Sequence, residues 1–179
     1  MDRSRRALER NLHELGRAVL ERKALVGMEK ANTSHAVDFF RLAYDALFND
    51  MIAHAIKVFD KNKYSETYWT IYERDKIIID QFLMDNNYDI DRLCVIADKL
   101  KIIRDKTHFH IDRDGVIAPK DIWEKANLTG KDLAKAIDIG WKSLNYLHKQ
   151  KIGKIFYFPK YNGTDITKII KMAKREGII

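Results

Sequence analysis

The chain is poor in the residues that break helices or cross-link small domains. Its 179 residues include two prolines, eight glycines and one cysteine, Cys94. A single cysteine cannot form an internal disulfide, so the sequence excludes a disulfide scaffold and indicates a reducing compartment. Because strand and turn signals are sparse and helical periods are long, the sequence favours an all-α fold.

Long apolar runs and common cofactor motifs are also missing. No segment approaches the roughly 20 apolar residues that span a bilayer, and the N-terminus is charged where a secretory signal would be apolar. The sequence has no glycine-rich phosphate loop, zinc-binding cysteine pattern or serine-nucleophile motif. We therefore expect a cytoplasmic protein with no membrane partner and no cofactor.

Positive charge is abundant and unevenly distributed. The formal net charge is +7, from 33 Lys and Arg against 26 Asp and Glu. Residues 142–179 hold nine of these cations and only two of the anions. A basic end on a near-neutral body is typical of a protein that binds a polyanion such as RNA. The other interpretation is a solvated tail that aids solubility.

Apolar periodicity predicts an up-and-down helical bundle with a short C-terminal appendage. We divide the chain into an N-terminal helix (1–29), a bundle (30–150) and a basic appendage (151–179). The predicted helices cover residues 4–26, 34–60, 65–86, 91–104, 119–125, 129–150 and 164–177, with a β-like apolar run at 155–158.

Two of these helices carry specific expectations. The first should stop near Gly27, since glycine is common just past a helix end. The second is apolar over a wide arc from Phe39 to Phe59, which predicts a position in the middle of the bundle. His54 on this helix is interpreted as a satisfied core histidine, with a site role as the alternative.

The stretch 91–115 holds the candidate site. Its apolar residues recur at three- and four-residue steps as far as Leu100, and the next step places Arg104 on the face that should meet the core. A guanidinium there needs an acceptor, a bound anion or a cleft. His110 follows six residues later, and an arginine that holds charge beside a histidine that moves protons can serve phosphoryl transfer.

The segment 104–110, R-D-K-T-H-F-H, resembles the R-x(4–6)-H motif of the HEPN superfamily of helical-bundle ribonucleases and nucleotide-binding domains. Arg104 and His110 match the ends of the motif, and Asp105 matches the polar residue that usually follows the arginine. Together with the long apolar stretch 38–60, the segment is similar to the AbiU-type branch, which is associated with phage abortive infection. The likeness covers roughly residues 30–150.

The resemblance implies a metal-independent endoribonuclease of abortive-infection or toxin–antitoxin defence. In such enzymes the ribose 2′-OH attacks the adjacent phosphate and leaves a 2′,3′-cyclic end. By this likeness His110 moves the proton, Arg104 holds the phosphate and Asp105 orients one of the two. The implied partners are RNA, a second copy of the chain whose motif meets the first, and an antitoxin protein.

Several alternatives stay open. His108 lies four residues after Arg104, on the same helical face, and can replace or assist His110. Six residues turn a regular helix by about 240°, so Arg104 and His110 share a site only if the helix ends or kinks between them or if two subunits combine. In an extended segment, His108, His110, Asp112 and Asp114 would share a face and could bind a divalent metal. The second functional hypothesis is a non-catalytic helical module that binds nucleotide, nucleic acid or a partner protein through the same cleft.

Overall fold

Helices make up all the regular structure in residues 2–30, 38–105 and 119–177, which are the ranges that the computed structural model describes. The predicted all-α helical bundle is confirmed. None of the helices in these ranges has the combination of length and apolar content that crossing a bilayer requires. The helices are α1 (Arg3–Lys30), α2 (Asp38–Phe59), α3 (Tyr68–Arg74), α4 (Lys76–Asp85), α5 (Ile90–Ile103), α6 (Pro119–Ala126), α7 (Gly130–Ile152) and α8 (Thr164–Arg175).

The core forms where α1, α2, α5 and α7 pack together. Helices α1 and α2 are antiparallel, because Glu14 of α1 contacts His54 of α2 while Glu21 contacts Asp50. Each helix contributes an apolar stripe to one continuous core. The fully buried side chains of this core include Leu12, Leu15, Ile52, Phe59, Leu93, Leu100, Ile103, Leu133 and Ile137.

Helix α2 lies in the middle of the bundle over only half its length. From Met51 to Phe59 its apolar side chains are buried, as predicted. Near its start, however, Phe39 and Leu42 are 68% and 69% exposed. The first half of α2 instead packs on one side against a small cluster around Met28 and Ile170. The wide apolar arc therefore does not imply burial along the whole helix.

Two predicted helix boundaries are wrong, and each has a physical reason. Helix α1 continues through Gly27 to Lys30. Gly27 instead allows close contact with another segment, since a Cβ there would lie 2.7 Å from the carbonyl oxygen of Gly163. The predicted helix 65–86 is broken at Asp75, which ends α3 and precedes α4. The nearly buried carboxylate of Asp75 pairs with Arg74 and with Lys151 of α7.

The chain after α7 forms no strand in the part that the structure describes, so the β-like interpretation of 155–158 is wrong. This segment follows α1 instead. Phe158 covers Gly16, and further on Gly163 lies against Lys23 and Gly27 in a left-handed conformation with φ of 73°. Helix α8 then packs on the C-terminal part of α1 through the cluster around Met28 and Ile170.

Candidate functional site

Arg104 stands where α5 ends. The helix begins at Asp89, whose carboxylate accepts the backbone N–H of Asp91 at 2.8 Å. Its regular turns stop at Ile103, and Arg104 and Asp105 continue in a wider π-helical turn. The apolar stripe of α5 is buried, so the next position on that face brings the guanidinium of Arg104 to the edge of the core.

Two carboxylates hold this guanidinium. Nη1 of Arg104 lies 2.6 Å from Oδ2 of Asp60, at the end of α2, while Nε and Nη2 both lie 2.7 Å from Oδ1 of Asp105. The guanidinium of Arg104 therefore has the acceptors that its position at the edge of the core requires. Desolvation opposes the charge on Arg104, but the hydrogen bond to Asp105 and the charge of Asp60 outweigh it, so the pKa of Arg104 is raised. An arginine has five N–H donors, so among the described residues these contacts leave one donor on each terminal nitrogen.

Arg104 and Asp105 line a cleft of about 890 Å³ between the start of α1, the end of α2 and the chain before α3. Three arginines of α1, at positions 3, 6 and 10, form one wall. Arg3 pairs with Glu66 at 3.1 Å. In the described ranges no carboxylate pairs with Arg6 or Arg10, and both are exposed. Over the whole lining, five cations stand against four carboxylates, so the cleft has a small excess of positive charge, on the side of Arg6 and Arg10.

The opposite wall of the cleft carries polar atoms without partners. Oγ1 of Thr67 and Oε2 of Glu66 are buried and have no hydrogen-bond partner in the part of the chain that the structure describes. The nearest cation to that oxygen of Glu66 is Nη1 of Arg74, at 3.6 Å, which is beyond hydrogen-bond distance. Because neither atom is accessible to solvent, neither can contact a molecule in the cleft in this conformation, and both are a local cost to stability beside it.

A second polar cluster lies between α1 and α2 and adjoins the cleft through Glu14. His54 is 1% exposed, which confirms its predicted place in the core, but the prediction that it is satisfied is wrong, since Nε2 has no hydrogen-bond partner among the described residues. Its Nδ1 lies 2.5 Å from Oε2 of Glu14, and its Nε2 lies 3.4 Å from Oε1 of Glu21 and 3.5 Å from Oδ2 of Asp50. The carboxylate of Glu21 raises the pKa of His54, burial opposes this, and Glu14 adds to the rise.

Of the residues predicted for the site, the structure brings together Arg104 and Asp105. His108 and His110 lie outside the described residues, as do Asp112 and Asp114 of the alternative metal site. The pairing of Arg104 with a histidine therefore stays a prediction.

Sequence reasoning missed several residues that line the cleft. Asp60 could not be assigned to Arg104, because their pairing depends on how α2 packs against α5. The arginines at positions 3, 6 and 10 did leave a signal, since steps of three and four residues place them on one helical face. They belong to the first helix, which lies outside the residues that the resemblance covers.

The chain matches no protein-family model, no curated protein and no solved structure. The likeness to HEPN proteins therefore stays an expectation from the sequence.

Proposed function

We propose that the protein binds RNA in the Arg104 cleft and cleaves it as a metal-independent endoribonuclease of the HEPN type. The observation that carries the proposal is the position of Arg104. Its guanidinium is fixed by Asp60 and Asp105 at the rim of a cleft that Arg6 and Arg10 make electropositive. A fixed arginine fork with donors to spare is suited to a phosphodiester and to the charge that develops on it.

The arginines of α1 supply the affinity in this proposal. Residues 3, 6 and 10 follow one face of the helix, so their side chains form a row beside Arg104. Contacts of this kind attract a polyanion through its phosphates and do not depend on sequence. Tyr64 at the rim is 85% exposed, which leaves an aromatic face available for a base to stack on.

The proposed cleavage needs a proton acceptor, and His110 takes this role. It removes the proton of the ribose 2′-OH, whose oxygen forms a bond to the adjacent phosphorus while the bond from phosphorus to O5′ breaks. The leaving O5′ takes up a proton from the protonated histidine or from water. Arg104 stabilises the charge on the phosphoryl oxygens, and Asp105 keeps Arg104 in place.

The biological setting that we propose is antiphage defence, either abortive infection or a toxin–antitoxin pair, with the enzyme acting as a homodimer. This part of the proposal is supported by the resemblance of the segment 104–110 alone. The fold is compatible with it, since HEPN proteins are helical bundles and the chain is all-α.

The test is incubation of RNA with the protein in EDTA. We expect cleavage with 2′,3′-cyclic phosphate ends, and we expect it to disappear in folded Arg104→Ala and His110→Ala proteins. Arg17→Ala is the control, because Arg17 is an exposed arginine of α1 that does not line the cleft. His108→Ala decides between the two histidines. If EDTA abolishes cleavage of RNA by the folded wild-type protein, the proposal is contradicted.

A non-catalytic RNA-binding module is the second candidate function, and Arg6 and Arg10, which pair with no carboxylate of the described residues, favour it independently of any histidine. In that case RNA stays intact at high protein concentration, while binding is retained and weakens in Arg6→Ala and Arg10→Ala. The same incubation, followed by a binding measurement, separates the two functions.

A further inference from the structure

We propose that Glu21, Asp50 and His54 bind a first-row divalent metal ion, with Zn²⁺ as the best match, between α1 and α2. One ligand atom from each residue lies within 4.8 Å of the other two. The site is distinct from the Arg104 cleft, and the cleavage proposed there does not use the ion. A result for or against metal binding therefore does not decide whether the protein is a ribonuclease.

Two of the three separations between the ligand atoms fit a tetrahedral ion, and the third, between Glu21 and Asp50, is no more than 4.8 Å. With metal–ligand bonds of roughly 2.0–2.2 Å, neighbouring corners of a tetrahedron are about 3.4 Å apart. In this cluster Nε2 of His54 lies 3.4 Å from Oε1 of Glu21 and 3.5 Å from Oδ2 of Asp50. These separations are long for hydrogen bonds within the cluster. Three protein ligands leave the fourth corner for water.

Two atoms of the cluster are buried without a partner. Nε2 belongs to a histidine that is 1% exposed, yet it has no hydrogen-bond partner in the described part of the chain. The same is true of Oε2 of Glu21, on a side chain that is 12% exposed. Unpaired buried polar groups are costly, and a metal ion bound to Nε2 would satisfy this nitrogen, while Oε2 would be satisfied as well if Glu21 bound through both of its oxygens.

Glu14 supports the ligand role of His54. Its Oε2 lies 2.5 Å from Nδ1, so the Nδ1–H of the imidazole donates to the carboxylate and the lone pair of a neutral ring is left on Nε2. Histidines that bind metals usually donate their other N–H to a carboxylate or carbonyl in this way, which fixes the tautomer and the ring orientation.

The charge balance also favours a divalent ion. Three carboxylates, those of Glu14, Glu21 and Asp50, surround His54. In the described ranges the cation paired with this group is Lys57, 3.3 Å from Glu14. A proton on Nε2 together with Lys57 balances two of the three negative charges, whereas a divalent ion together with Lys57 balances all three.

The ligand types select the class of ion. An imidazole nitrogen suits Zn²⁺ and its first-row neighbours, while Mg²⁺ and Ca²⁺ prefer sites made only of oxygen. The side chain of Asp50 is 62% exposed, so an ion can reach the buried His54 from solvent along this residue.

The experiment uses the full-length chain stripped of metal. Zn²⁺ is titrated by calorimetry, and Co²⁺ is added as a spectroscopic probe of coordination. We expect one Zn²⁺ per chain, a rise in melting temperature on binding, and strong visible absorption from tetrahedral Co²⁺. Mg²⁺ and Ca²⁺ at the same concentration should not raise the melting temperature.

Variants locate the ion. Asp50→Asn changes an exposed ligand without disturbing the core and should weaken Zn²⁺ binding by about tenfold or more. Glu14→Gln should weaken it by roughly 10–100-fold, as is usual for the partner of a metal-binding histidine. Asp45→Asn, an exposed aspartate of the same helix, and Cys94→Ser, which removes the one thiol, should leave the affinity unchanged.

Two results would overturn the inference. One is the absence of Zn²⁺ and Co²⁺ binding by the folded wild-type chain. The other is binding that persists with unchanged affinity in Asp50→Asn and in His54→Gln, which would place the ion elsewhere. Both are read from binding and melting, so they do not depend on whether RNA is cut.

Discussion

Asn11 is a buried polar residue that ties α1 to the wall of the Arg104 cleft. Its side chain is buried, and Nδ2 donates to the carbonyl oxygen of Ala7 at 2.9 Å and to that of Glu66 at 2.7 Å. The second bond joins residues 55 positions apart in sequence. It therefore holds the chain before α3 against the helix that carries the arginines.

Replacement of Asn11 by alanine should lower the free energy of unfolding by about 1–3 kcal/mol, because the carbonyl of Glu66 loses its donor inside the protein. Denaturation in urea measures the change. Asn49→Ala, at an exposed position of α2, is the matched control and should alter stability by less than about 0.5 kcal/mol. Equal losses of stability in the two variants would show that the hydrogen bond from Asn11 to Glu66 does not explain the effect.

The row of arginines in the cleft predicts how the affinity for RNA should depend on salt when one arginine is removed. If Arg10 contacts a phosphate of single-stranded RNA, Arg10→Ala should reduce the slope of log affinity against log salt by about 0.7. Fluorescence anisotropy at several salt concentrations gives this slope. Arg17→Ala, seven residues further along α1 and outside the cleft, should leave it unchanged. A similar change in both variants would point to general attraction by the helix.

At the residue scale, the sequence predicted Arg104 from a conflict between its charge and its place on an apolar stripe. Asp105 was next to it in the chain and could be anticipated. Asp60 could not, because it reaches Arg104 only through the packing of α2 on α5. The same holds for the cluster around His54, where Glu14 and Glu21 come from one helix and Asp50 from another.

Helix α7 shows how a single side chain starts an element. Oγ1 of Thr129 accepts the backbone N–H of Asp132 at 3.1 Å, and the same hydroxyl donates to the Asp132 carboxylate at 2.7 Å. Thr129→Ala should therefore cost about 1 kcal/mol in the free energy of unfolding. Thr129→Ser keeps the hydroxyl and should cost much less. Thermal denaturation compares the two, and equal effects would rule out the cap.

The capping interaction should depend on pH. The bond from Thr129, followed by that from Arg92, holds the pKa of Asp132 below its ordinary value of 3.8. A lowered pKa in the folded state stabilises the protein above the unfolded pKa, and this stabilisation disappears as the pH falls through the folded value. The difference in stability between wild type and Thr129→Ala should shrink in acid. A difference that stays constant while the Asp132 carboxylate is protonated would contradict the linkage.

At the element scale, periodicity located the helices better than their ends. The apolar spacing of 65–86 predicts one helix, yet Asp75 interrupts it. The partner of Asp75 is Lys151, which is 76 positions away in the chain and cannot be found from local pattern. Likewise, a glycine such as Gly27 is typical of a helix end, but here the glycine allows close contact with Gly163 on a distant segment.

The contact between Gly27 and Gly163 predicts how α8 is held to the rest of the molecule. In Gly27→Ala the new Cβ meets the backbone oxygen of Gly163 at 2.7 Å, and backbone cannot move aside as a flexible side chain can. We expect α8 to separate from α1, with faster amide hydrogen exchange in α8 and little change in α5. Gly130→Ala, where a Cβ would have no neighbour within 4 Å, should change neither.

The length of α1 has a consequence for which RNA the protein could prefer. At 1.5 Å per residue, Gly27 lies about 30 Å along the helix from Arg6. The exposed lysines 168 and 171 of α8 therefore sit far from the arginine wall, at the other end of the same rod. A trinucleotide can occupy one end only, whereas a longer strand can bridge both and gain avidity. If the proposed RNA binding is right, the affinity should therefore rise with the length of the strand and depend little on its base sequence.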